Sequence, residues 1–396
     1  MSKSLGEELF MKIAHVCLAN FYIEGWGYQE NILTRMHKHA GHDVIIMARA
    51  QEKRGDQLAY VEKDYINEDG IPVRILKLKG TGFVKKISSR RRAYSNVYED
   101  LNDVKPDVIF VHGGQSVSLK DVLKYCKKHK ETVLYIDQHA DYYNSPITSL
   151  KSRLNAKFLL GRSLCKSAKY VKRYWGTTPW RCQYLNDVYG LPKEKIGLLV
   201  MGGNDEKIQF DKREELRSEI CRELNIDDGD FVIVTGGKID KTKNIHLLMR
   251  AVAELGERKI KLIVFGNPNA QMKPEIEALA NNESIRFIGW IPADKAYDYF
   301  LISDLGFFPG THSVLWEQAC ACGLPCVFKD WEGMRHVDMG GNCEFLLEDS
   351  AEAIRNIIFN IYSDEEKIQK MKSAAENCKK EFFYSEIAKR ALEIDQ

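Results

Sequence analysis

The sequence has no uninterrupted run of ~18 apolar residues, so no transmembrane helix is expected. Met1 to Phe10 shows no basic flank followed by an apolar core, so no secretory signal is expected either. Short-period repeats and low-complexity tracts are absent, which excludes solenoids and compositionally biased linkers. Paired Cys-x-x-Cys spacing is missing. The ten cysteines are scattered, mostly beside apolar residues, and read as reduced thiols in a reducing compartment. Net charge is small, 58 − 56 = +2 over 396 residues, while 44% of residues are hydrophobic and 29% charged. That composition excludes a disordered chain, and at roughly 150 residues per domain the length favours two or three domains.

The near-neutral total hides a split. Residues 1–200 carry 33 basic and 21 acidic side chains, 33 − 21 = +12, and residues 201–396 carry 25 and 35, 25 − 35 = −10. From Tyr142 to Asn186 there are nine bases and no acid, and a second cluster holds Lys85, Lys86, Arg90, Arg91 and Arg92. Such asymmetry suits an anionic membrane, an anionic substrate or nucleic acid. Leu150, Leu154 and Phe158 stand at helical spacing among the bases, as an interfacial helix requires, and core packing fits the stripe equally.

Short apolar runs alternate with helix-like stretches. Met11–Leu18, His42–Ala48, Val73–Leu78, Asp107–Val111 and Thr132–Ile136 read as strands of a parallel sheet covered on both faces. The pattern repeats in Phe231–Thr235, Lys261–Phe265, Ile285–Gly289, Leu305–Phe308 and Pro325–Phe328, with the polar stretch Gly202–Asp230 containing the linker. The expected class is α/β, with two doubly wound halves and a helical tail from Ala351.

Four segments carry chemistry. Gly25-Trp26-Gly27 after the first strand suits close approach of backbone N–H groups to a phosphate, or simply a tight turn. A dinucleotide fingerprint needs a third glycine, where this chain has Glu30. His139 follows a strand's carboxyl end between Asp137 and Asp141, placed to hydrogen-bond a sugar hydroxyl or phosphate. Gly236-Gly237-Lys238 through Lys243-Asn244 is a lysine-bearing loop before a helix, suited to a diphosphate but lacking P-loop order. In Pro309 to Pro325, Ser313 is a candidate helix cap, and Glu317 can accept two ribose hydroxyls. Cys320, Cys322 and Cys326 lack zinc-site spacing and read as buried thiols.

The order of these pieces resembles the GT-B glycosyltransferases, family 4 type, over nearly the whole chain. Gly25 to Glu30 with Leu33 and Gly41-His42-Asp43-Val44 looks like that family's first βα unit, and Gly237 to Asn244 like its donor-phosphate loop. Glu317-Gln318-Ala319-Cys320-Ala321-Cys322-Gly323-Leu324-Pro325 is the most specific match. The family usually carries two glutamates separated by seven residues; Glu317 matches the second, and Pro309 stands at the place of the first, followed by Gly310 to Val314.

The resemblance implies a GT-B fold with two Rossmann-like domains facing a cleft. They would span 1–203 (acceptor side) and 204–380 (donor side), with 381–396 returning to the first. It implies a retaining glycosyltransferase that takes a nucleotide-diphospho-sugar donor and a saccharide or lipid-linked acceptor, as in polysaccharide or lipopolysaccharide synthesis. It also implies no divalent metal. The scattered reduced cysteines suit a cytoplasmic location, the basic half suits the membrane's inner face, and no nucleic-acid partner is expected because Trp175 and Trp180 form no recognisable RNA-binding motif. His139, Lys243 and Glu317 would be catalytic. Gly25, Trp26, Gly27, Gly237, Lys238, His312, Ser313 and Val314 would join Lys243 and Glu317 in binding the donor. Lys85, Lys86 and Arg90 to Arg92 would mark the acceptor or membrane side. Competing readings are a nucleotide-sugar epimerase, with Asp137, Asp141 and Asp240 as candidate acid/base groups, and a non-catalytic scaffold motivated by Pro309.

Overall fold

The computed structural model describes residues 10–19, 22–55, 57–145, 157, 161–256 and 259–394. The stripe Leu150, Leu154 and Phe158 lies outside these residues. The chain forms two compact units: Met1–Leu199 with Ala388–Gln396, and Val200–Ile387.

In the first unit the strands are β1 (Lys12–Cys17), β2 (Asp43–Ala48), β3 (Gln51–Arg54), β4 (Gln57–Tyr60), β5 (Tyr65–Ile66), β6 (Pro72–Ile75), β7 (Val108–His112), β8 (Val133–Gln138), β9 (Val171–Gly176) and β10 (Ile196–Leu198). Eight of them form one sheet in the order β10-β9-β8-β7-β1-β2-β6-β5, and β3 and β4 pair separately as a hairpin. Every pairing in the large sheet is parallel except β5 with β6. Strands β1 and β7 are apolar nearly throughout because helices cover both faces. Helix Gln29–His39 follows β1 and buries Ile32, Leu33 and Met36; Gly41, at φ 89°, turns the chain back into β2.

The second unit holds β11 (Phe231–Ile239), β12 (Ile260–Pro268), β13 (Ile285–Gly289), β14 (Leu305–Phe308), β15 (Cys326–Lys329) and β16 (Cys343–Leu346). They form an all-parallel sheet in the order β13-β12-β11-β14-β15-β16. Val232, Ile233 and Val234 at its centre are fully buried, each contributing about 2 kcal/mol of hydrophobic stabilisation. The stretch expected to hold the linker is itself structured, with helix Arg213–Glu223 pinned by Arg213 Nε to the Leu301 carbonyl at 2.9 Å. The division between units falls earlier, after Leu199.

Candidate donor site and the histidine cluster

In the second unit, two loops leave the carboxyl ends of the neighbouring strands β11 and β14 and are stitched together. Thr311 N donates to the Thr242 carbonyl at 3.0 Å, and Asn244 Nδ2 donates to the Pro309 carbonyl at 3.2 Å. Gly310 lies so close to the Lys243 backbone that any side chain would collide with it. Lys243 Nζ donates to the carbonyls of Thr311 at 2.6 Å and His312 at 3.0 Å. Burial lowers its pKa to about 8, so near neutral pH it remains mostly an ammonium. Lys238 is exposed and pairs with Asp240 at 3.0 Å. Gly237 has φ 107°, and a side chain there would meet Leu315.

Glu317 lies in helix Leu315–Ala321 and is fully buried. His312 Nε2 donates to its Oε1 at 2.8 Å and His336 Nε2 to the same oxygen at 2.9 Å. Burial alone would raise the carboxyl. The two imidazoles outweigh that and hold it at about 2. Oε2 is buried without a hydrogen-bond partner among the described residues, as is Thr235 Oγ1 at the end of β11's apolar run. A small pocket is lined by Thr235, Gly236, Lys243, Gly310, Ser313 and Trp316. The donor atoms of His312, Glu317 and His336 lie within 4.8 Å of one another, so this trio could hold a metal ion.

Ser313 does not cap the helix as expected. Val314 occupies the N-cap, no side chain caps it, and Ser313 contributes its carbonyl to Trp316 N at 3.0 Å. The structure brings Lys243, His312, Ser313, Val314 and Glu317 together, with Gly237 and Lys238 on the adjoining loop. His336 escaped sequence reasoning, since a lone histidine in the 3-10 turn Arg335–Val337, 19 residues past Glu317, carries no motif.

In the first unit, Gly25, Trp26 and Gly27 form an exposed turn ahead of helix Gln29–His39. Trp26 N is bonded to the Ile23 carbonyl at 3.2 Å and its ring sits 5.1 Å from Tyr28. Gly25 has φ 73° and open space where a side chain would stand. His139 follows β8, with Nε2 3.6 Å from Asp137 Oδ2. Asp137 is fully buried; it accepts from His112 Nδ1 at 2.7 Å and Gly113 N at 3.0 Å. Glu30 is also buried. Burial raises its carboxyl while the charges of His139 and His112 pull it down, which places it in the same cluster. His112 ends β7 as His139 follows β8, so the rule that singled out His139 applied to it as well.

The epimerase reading needs acid/base carboxylates in the cleft, and each of its three candidates is already engaged. Asp137 is held well below the usual carboxylate range, since the His112 and His139 charges outweigh its burial. Asp141 is taken by Arg181 Nε at 3.1 Å and by the N–H groups of Tyr143 and Asn144. Asp240 is also lowered, because hydrogen bonds from Thr242 and Lys238 outweigh its burial.

Lys85, Lys86, Arg90 and Arg91 lie on helix Gly82–Arg91, with no ion-pair partner among the described residues. Phe83 and Val84, 77% and 55% exposed, stand on the same helix. Arg92 departs from that surface: it is the helix C-cap at φ 50°, and its guanidinium donates to the Gln115 carbonyl at 3.0 Å.

Two α/β units, the first with a sheet parallel but for one edge strand and the second with an all-parallel sheet, are the architecture of the GT-B fold. Residues 217–378, within the second unit, match the family Glycosyl transferases group 1. D-inositol 3-phosphate glycosyltransferase of Rhodococcus erythropolis is 23% identical over 193 residues, covering 44% of this chain and 43% of the relative. The chain thus spans about two fifths of the length of the curated relatives it matches. Among solved structures, a glycosyltransferase from Rickettsia africae aligns over 97% of both chains with TM-score 0.70 and 14% identity. Anabaena HepE in complex with UDP aligns over 97% of this chain and 99% of its own, with TM-score 0.68 and 16% identity. UDP-N-acetylglucosamine 2-epimerases share the fold too, so the reaction must be argued from the site.

Proposed function

We propose that the protein is a retaining glycosyltransferase that moves a sugar from a nucleotide-diphospho-sugar to a saccharide or lipid-linked acceptor. The observation that carries this reading is that Lys243 and Glu317 both engage the 309–314 loop of the second unit. Lys243 is a buried ammonium fixed by two carbonyls of the 309–314 loop. Glu317 is an ionised carboxylate whose Oε1 is saturated by two histidines, while Oε2 lacks a donor. A ribose hydroxyl is the natural partner for such an oxygen, since leaving it unmet costs about 1–3 kcal/mol. Lys243 and Lys238 neutralise the leaving diphosphate, a term that typically supplies several kcal/mol. No divalent cation is needed in this scheme, and EDTA is expected to leave transfer unchanged. The Gly25–Gly27 turn and His139 are assigned to the diphosphate and the donor sugar.

The donor proposal is supported by UDP bound in the Anabaena relative. The acceptor is assigned to the basic first unit, consistent with cell-surface polysaccharide or lipopolysaccharide synthesis. Helix Gly82–Arg91, with exposed Phe83 and Val84 among four unpaired cations, is the proposed contact with an anionic inner-face membrane. No helix among the described residues is long and apolar enough to cross a membrane.

The test is a calorimetric and thermal-shift screen of nucleoside diphosphates and nucleotide sugars without metal. Saturation at ~100 times the dissociation constant adds about 2.7 kcal/mol of stability. Lys243→Ala and Glu317→Ala should abolish that shift and the transfer that follows. Unchanged donor hydrolysis and transfer in both variants would sink the proposal.

A further inference from the structure

Three fully buried histidines in the first unit make a continuous hydrogen-bonded line. Asp137 Oδ2 meets His112 Nδ1 at 2.7 Å, and His112 Nε2 meets His15 Nδ1 at 2.9 Å. His15 Nε2 meets His37 Nδ1 at 2.9 Å, and His37 Nε2 meets the Ala388 carbonyl at 3.0 Å. All three rings and Asp137 are within 1% of complete burial. The line has an acceptor at each end, a carboxylate and a peptide carbonyl.

Proton counting then fixes its charge. Each of the four links needs one hydrogen, and three neutral imidazoles supply only three. The Ala388 carbonyl cannot donate, so His37 is protonated on Nε2 and accepts at Nδ1. His15 must then donate from Nε2 and accept at Nδ1, and His112 must donate from Nε2. The fourth hydrogen lies between His112 and Asp137. Asp137 Oδ1 accepts from Gly113 N, which stabilises the carboxylate form and leaves the proton on the ring.

We infer that His15, His37 and His112 form one proton-sharing line, that its single surplus proton makes His112 a buried imidazolium against Asp137, and that this pair positions the His139 loop. The assembly of line and carboxylate is neutral overall, which is why it can be buried at all. Gaining a proton would place two cations on adjoining rings; losing one would leave a link without hydrogen.

The surroundings agree. His112 faces Asp137, His15 and, from helix Gln29–His39, Glu30; burial pushes it down, but Asp137 outweighs that and raises it. His15 faces His37 and His112 and stacks on Phe110 at 5.5 Å; burial, with both neighbours, lowers it well below its usual range. His37 also faces His42, and burial lowers it to about 4. Asp137 faces His139 and lies near Cys17, whose thiol is raised by burial and by the charges of Glu30 and Asp137. Fixing the proton on His112 keeps Asp137 a carboxylate, so His139 faces an anion. The importance of that for catalysis rests on the glycosyl-transfer reading, whereas the protonation itself does not.

The test is nitrogen-15 histidine NMR on the full chain, run beside a donor-turnover assay so that the two claims fail separately. At pH 7.5 one buried ring should be protonated on both nitrogens and two on Nε2 alone. In Asp137→Asn the amide donates to His112 Nδ1, the line closes with three protons, and the imidazolium disappears while His15 and His37 keep their tautomers. In His112→Gln the His139 ring resonances should shift. Three neutral rings in the natural chain would overturn the charge assignment, and this spectrum decides even if the variants do not fold. An imidazolium persisting in Asp137→Asn would overturn it too, and unmoved His139 resonances in a folded His112→Gln would overturn the positioning role.

Discussion

Replacing Glu317 by Gln tests how the second unit holds a charge in its interior. The carboxyl sits at about 2 against an ordinary 4.5. At 1.36 kcal/mol per unit, the ionised form is favoured by roughly 3 kcal/mol in the folded chain. The group is fully buried, so solvent screening does not dilute the figure. Its folded pKa is depressed, so the stabilisation is present above the unfolded value and is lost as pH falls from about 4.5 through about 2. In Glu317→Gln that pH-dependent part vanishes, while Oε1 of the amide can still accept from His312 and His336. The assay is denaturant unfolding of both proteins at a series of pH values between 7 and 2.5, read on the transition of the second unit. The natural chain should lose on the order of 2–3 kcal/mol more than the variant across that window. Parallel stability curves for the two proteins would refute the reasoning, because the histidines would then not be charging the carboxylate.

Lys243 should make donor affinity fall as pH rises through about 8, the value to which burial lowers it; titration calorimetry between pH 7 and 9 reads this, and Lys243→Arg should move the fall upward. Gly310→Ala drives a methyl into the Lys243 backbone and should cost about 1–3 kcal/mol, seen as a lowered Tm together with weakened donor binding. Deleting residues 388–396 removes the carbonyls that accept from His37, Tyr135 and the Trp175 indole, and the Glu393 carboxylate paired with Arg173 at 2.7 Å. The first unit should then lose several kcal/mol and its hydrogen-exchange protection in β8 and β9. Reversing the charge of Lys85 and Lys86 should abolish salt-sensitive flotation with anionic liposomes; flotation indifferent to salt or lipid charge would remove the membrane contact.

Strand after strand was legible in the chain. A run such as Phe231–Thr235 has one low-energy fate, burial in a sheet covered on both faces, and apolar periodicity registers that locally. Gly25 and Gly237 were legible for a similar reason, since each stands at positive φ in a turn, where a glycine is demanded locally. Partnership across long separations was not legible. His336 reaches Glu317 only because the turn after β15 returns to helix Leu315–Ala321, and nothing within a few residues of either encodes that meeting. The expected Ser313 cap is not formed: Val314 takes the N-cap position and the helix starts at Leu315.

The buried histidine line marks the same boundary. The sequence by itself determined that β1, β7 and β8 would be buried, parallel and adjacent to helices, because hydrophobic patterning is a local property of each segment. It left His15 and His112 as isolated polar residues in apolar runs and His37 as one of several polar residues on a helix. Only the tertiary structure decided that they meet end to end between a carboxylate and a carbonyl 251 residues away from it in sequence (388 − 137 = 251). Hydrogen-bond direction and charge balance are properties of the assembled line. They come into being when the sheet pairs and the C-terminal residues return to it, and no single segment of the chain contains them.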